Sequence, residues 1–93
     1  MLASDANHLD LDCGILYARI VAWLDDELAL PRDGARWVFA AGRQSCLVDV
    51  EPLEDRVFGT IVLERSRLKA VGDAEALAAF EKLFTLRFVS AGG

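Results

Sequence analysis

Three short stretches hold the side chains most suited to chemistry. In HLDLDC, His8, Asp10 and Asp12 alternate and Cys13 follows. Extended, that spacing turns an imidazole and two carboxylates to one side, the donor set of a nitrogen-and-oxygen metal site. Read as a helix start, Asp12 becomes the N-cap, and Leu11 and Leu16 take the two positions of a hydrophobic staple. The helix start is the expectation, leaving His8 solvated. Cys13 would then lie in the first helical turn, where the dipole can lower a thiol pKa. Its only histidine, His8, is five residues upstream. In WLDDE, three consecutive acids splay over roughly 200° of a helix and do not converge. Arg65 and Arg67, in ERSR, share one face of a strand. They suit a carboxylate or a phosphate, or guard an edge strand against aggregation. Cys46 alternates with Val48 and Val50 and reads as core packing. No phosphate-binding glycine loop, Ser-His-Asp set or zinc spacing occurs. The expectation is a chain with no catalytic residues, no metal and no cofactor, leaning away from an enzyme.

The chain ends FVSAGG. Gly92 and Gly93, after the small Ser90 and Ala91, resemble the ends of ubiquitin-like modifiers and sulfur-carrier proteins. The resemblance covers two to four residues. It implies a terminal carboxylate activated by adenylation, in a tail slim enough for a narrow enzyme tunnel.

The elements that would hold these groups follow from periodicity. Leu16, Ile20, Trp23, Leu24 and Leu28 form a helical stripe that Pro31 ends. PRDG reads as a turn, ARWVFAA as a short strand, and AGRQ around Gly42 as a hairpin connection. SCLVDV alternates cleanly, with Cys46, Val48 and Val50 on one side and Leu47, Asp49 and Glu51 on the other. Pro52 is expected to end that strand and LEDR to loop. RVFGTIVLERSRLKAV is the longest extended stretch. Its first half is apolar at both parities, which suggests a central strand covered on both faces, and residues 64–71 read equally as a separate strand or a continuation. Asp73 caps a second helix with Leu77, Phe80 and Phe84 on its apolar face. TLRFV reads as a closing strand. The expected fold is α+β, a two-layer sandwich: an N-terminal helix, a three- to four-stranded mostly antiparallel sheet, a second helix and a short C-terminal strand.

Ninety-three residues with 54% hydrophobic side chains make one domain, 1–93, with flexible ends at 1–8 and 90–93. Net charge is −5, and residues 1–31 carry all of it, with six acids against one base. That argues against nucleic acid as a partner. The longest apolar run, Cys13–Leu24, contains Arg19 and is too short to span a bilayer, so no membrane partner is expected. The absence of a signal-peptide pattern and two unpaired-looking cysteines suggest a cytoplasmic protein. The leading expectation is a small, acidic, non-enzymatic protein-binding or regulatory module, as a homodimer or with another protein. Trp23, Trp37, Phe39, Arg65 and Arg67 are its expected interface. One alternative is a carrier activated at Gly92 and Gly93. Another is an enzyme or metal protein built on His8–Cys13.

Overall fold

The computed structural model describes residues 7–89. Five strands form one antiparallel sheet in the order β1-β5-β4-β3-β2. They are β1 (His8–Cys13), β2 (Arg32–Asp33), β3 (Arg36–Ala41), β4 (Gln44–Phe58) and β5 (Ile61–Gly72). Strands β2 to β5 are a meander of consecutive hairpins, and β1 returns to pair with β5. Helix α1 (Tyr17–Ala22) continues into wider π-type turns over Trp23–Glu27, and α2 (Ala74–Phe84) does the same over Thr85–Val89.

The α+β expectation holds, but its layout changes at both ends. A strand comes first. HLDLDC pairs residue by residue with β5, His8 opposite Val71 through Cys13 opposite Ser66. This turns Leu9, Leu11 and Cys13 onto the core. Burial of that alternating row outweighs the capping signal, and the helix begins at Tyr17, with Leu16 at its N-cap position. At the other end TLRFV stays helical. Phe88 packs on Trp23 and Phe84 at centroid distances of 5.3 and 5.1 Å, contacts that a departing strand would lose. Pro52 does not end β4, which runs on to Phe58, and residues 61–72 are one strand.

Both helices cover the same face of the sheet. Ile20, Trp23 and Leu24 of α1, and Ala76, Leu77, Phe80 and Phe84 of α2, meet Trp37, Phe39, Cys46, Val48, Val50, Leu68 and Ala70 from the strands. Of the stripes read from spacing, Ile20, Trp23, Leu24, Leu77, Phe80 and Phe84 are buried and Leu28 is partly so, whereas Leu16 is 41% exposed. Asp73 does stand at the N-cap of α2, but its carboxylate accepts the Ser45 N–H at 2.9 Å, fastening the helix start to β4. Ser66 is the buried polar residue of the core, and its hydroxyl donates to the Ile15 carbonyl at 2.6 Å. No helix among the described residues is long and apolar enough to cross a membrane.

The opposite face is open. Register places Asp10, Lys69 and Asp49 in one row across three strands, and Asp12, Arg67 and Glu51 in the next. Acid, base and acid alternate, so each base lies between two acids.

Candidate functional site

The helices cover only part of the sheet. Pairing of β1 with β5 stops at Ser66, and pairing of β3 with β4 stops at Val48. Beyond those points β4 and β5 continue alone, as a two-stranded ribbon closed by Gly59 and Thr60. From Ser66 to Ile61 the ribbon runs roughly 17 Å, at strand rise. It makes the molecule long: 47 Å against 33 and 31 Å, with a radius of gyration of 14.0 Å where a compact chain of this size would show about 12 Å.

Local sequence explains why the ribbon forms. Gly59 takes φ +61, the first position of a type II′ hairpin turn, whose twist matches the strands beside it. Val57, Phe58, Ile61 and Val62 flank it, and such side chains favour a pleated backbone. The register slips between Leu53 and Arg56, a bulge that bends β4 at the ribbon's base.

What the ribbon presents is apolar on both faces. Val57 is 62% exposed, Phe58 53%, Ile61 58%, Val62 56% and Leu63 47%. Alternation from Arg65, which bonds Asp12 on the open face, puts Phe58, Ile61, Leu63 and Arg56 on that face. Val57, Val62 and Glu64 look to the helix side. The five side chains leave on the order of 500 Å² of apolar surface in water, at the upper end for a monomer's largest patch and more than half of one side of a standard protein interface.

The ribbon's two edges differ. The outer edge of β4 holds Pro52, the bulge, and the acids Glu54 and Asp55, devices that discourage strand addition. The outer edge of β5 over Ile61–Glu64 has neither proline nor bulge, and Glu64 is its single charged side chain. It borders a cleft of about 340 Å³ lined by Gly14, Leu16, Val62, Leu63 and Glu64.

The residues singled out from the sequence lie elsewhere. Trp23 and Trp37 are 3% and 2% exposed, and Phe39 is buried with them. Trp23 and Phe39 pack on Phe80 at 5.6 and 5.3 Å. Trp37 donates its Nε1–H to Asp25 at 2.7 Å, and Arg32 lies over its ring at 4.1 Å while also bonding Asp25. These three rings build the core of the protomer, because one small sheet and two helices do absorb them. Arg65 and Arg67 share the open face as expected and bond the carboxylates of Asp12 and Asp10. Arg65 alone of the five stands at the ribbon's base. Gly92 and Gly93 lie outside the described residues.

The chain matches no family model, no curated protein and no solved structure.

HLDLDC is extended, so His8, Asp10 and Asp12 do share a side, but arginines occupy two of them. The hydrogen bond from Arg67, and then the charges of Arg67 and Lys69, hold Asp10 below the usual carboxylate range. No three His, Cys, Asp or Glu side chains gather to hold a metal among the described residues. Cys13 is on a strand, not in a helical turn. Burial, then the neighbouring Asp12 charge, push its thiol pKa up, and its Sγ–H points to the Ser66 carbonyl at 3.5 Å. Burial pushes Cys46 up as well. Both thiols are thereby poor nucleophiles at neutral pH. A second cleft, of about 240 Å³, opens on the charged face between His8, Arg36, Asp49 and Lys69. Its floor is the alternating charge row, where each base already faces an acid.

The sequence reading missed the ribbon's exposure. Gly-Thr between two β-branched runs is a legible turn signal, and apolar residues at both parities are legible too. Whether anything covers those faces depends on where the helices stop.

Proposed function

We propose that this protein is a non-enzymatic binding module that docks another protein chain on its β4–β5 ribbon. One observation carries the reading: five large apolar side chains, Val57, Phe58, Ile61, Val62 and Leu63, are 47% to 62% exposed on a ribbon held out beyond the core. A ribbon of two strands is marginal in water by itself. Leaving it long and apolar is costly unless a partner covers it. Its rim is mixed in charge, with Arg56 and Arg65 beside Glu54, Asp55 and Glu64, which suits a polar-rimmed protein interface. The same acids, on a chain of net charge −5, oppose an anionic membrane surface. Among the described residues both thiols are pushed up by burial, and arginines bond the carboxylates of Asp10, Asp12, Asp25 and Glu27.

The reading is tested with a photo-crosslinking side chain placed at Ile61 in living cells, and in a second strain at Asp49 on the charged face. Protein adducts are expected from position 61 and not from position 49. Equal labelling from the two positions, or none from 61, would overturn it.

A further inference from the structure

We propose that the chain docked on the ribbon is a second copy of this protein, added strand to strand along the outer edge of β5. This rests on the docking reading above and names its occupant. The outer edge of β4 carries a proline, a bulge and two acids, and that of β5 only the acid Glu64, so sheet extension belongs to β5. A two-residue turn makes Phe58 and Ile61 the hydrogen-bonded pair nearest the loop. Alternation then turns the N–H and C=O of Val62 and Glu64 outward. The far end of β5 agrees: the odd-numbered Asp73 sends its N–H inward, to the Ser45 carbonyl at 3.0 Å.

A twofold axis normal to the sheet pairs residues of equal parity, and a pair centred on Val62 satisfies this. Val62 then faces Val62 of the second copy, and Ile61 faces Leu63. On the helix side the row across four strands reads Val57, Val62, Val62, Val57. On the open side it reads Phe58, Ile61, Leu63, Arg56, with the reverse order one row on. Ile61, Val62 and Leu63 thus meet across the seam, and Val57 and Phe58 extend the two apolar rows one strand back. Glu64 faces Thr60, and the two Glu64 carboxylates stand four residues apart, roughly 13 Å. The lane beside β5 is empty of strand from Ile61 to Arg65. In this register each turn, at Gly59, reaches Arg65 of the other copy, one residue short of the lane that β1 fills. One such patch, with Leu16 beside Val62, amounts to more than half of the roughly 800 Å² per partner of a stable interface.

Multi-angle light scattering over roughly a hundredfold dilution reads the mass. The wild-type chain should scatter at twice its 10.2 kDa, falling towards one chain at the lowest concentrations. Val62→Pro removes the outward N–H without touching a bond to β4. Val62→Lys leaves the backbone intact and brings two ammonium groups together on the axis. Each variant should scatter as a single chain at every concentration. A wild-type monomer throughout, or dimers that survive both substitutions, would overturn the proposal. If the chain is monomeric but the Ile61 probe still captures another protein, the second copy is wrong and the docking reading stands. If the probe is silent as well, both fall.

Discussion

At Gly72 the last residue of β5 passes over the backbone of β4. A Cβ there would sit 2.6 Å from the Cys46 Cα and from the Ser45 carbonyl, and φ is +153. Neither neighbour can move without shifting the core, since Cys46 is buried and Ser45 fastens α2 through its N–H to Asp73. Gly72→Ala should therefore cost about 2 kcal/mol or more, from strain and overpacking together. Gly14 has nothing within 4 Å of the same virtual atom, so Gly14→Ala should stay within about 0.5 kcal/mol of the wild type. Urea unfolding of the two variants checks both, and a near-neutral Gly72→Ala would contradict the close approach. The glycine was legible in the sequence as a break. Its reason was not, because Ser45 and Cys46 meet it only through long-range pairing.

Among the elements, exposed arginine–carboxylate bridges add to the fastening that strand pairing and the core provide. Arg67 ties β5 to Asp10 on β1, Arg32 ties β2 to Asp25 beside Trp37, and Arg87 ties the end of α2 to Glu27 at the end of α1. Hydrogen bonds from these arginines, with Trp37 adding to Asp25, hold Asp10, Asp25 and Glu27 below their ordinary pKa values of 3.8, 3.8 and 4.5. Their folded-state pKa values are depressed, so their contribution is complete above the ordinary values and is lost as pH falls through the folded ones. Stability should be flat from neutral pH down to about 5, then fall steadily below about 4. Added salt should shrink the drop, since these carboxylates are solvent-screened. Thermal melts across pH 2–8 check the sign, and a protein that gains stability below pH 4 would contradict it. At this scale the sequence was informative about helices, whose Ile20–Trp23–Leu24 and Leu77–Phe80–Phe84 stripes are the buried ones. It misled at HLDLDC, where capping chemistry and strand alternation coexist and only the vacant lane beside β5 decides between them. It misled again at TLRFV, where alternation and helical spacing share Leu86 and Phe88 and contact with Trp23 settles the choice.

Over the whole molecule, two kinds of surface meet one core. The charged face of the sheet compensates itself across strands. The ribbon does not compensate itself, and it lies past the reach of both helices. The same two strands serve both ends: β4 and β5 carry core residues over 46–50 and 66–70, and exposed apolar ones over 57–63. The aromatic residues that a sequence reader would send to the interface are the ones the core needs. What stays in water on the ribbon is Phe58 with the aliphatic Val57, Ile61, Val62 and Leu63. Composition could show that the chain carries more apolar area than a small core absorbs. Which part is surplus depends on where the layers end.

The claim at the centre of this account is that the outer edge of β5 is an unfinished piece of sheet completed by another chain. Residue-resolved amide hydrogen exchange tests it most directly. The N–H groups of Val62 and Glu64 should exchange freely in dilute protein and slow by at least roughly tenfold when the protein is concentrated, while the core amide of Leu68 stays protected at both concentrations. Val62 and Glu64 amides that exchange equally fast at every concentration would contradict it.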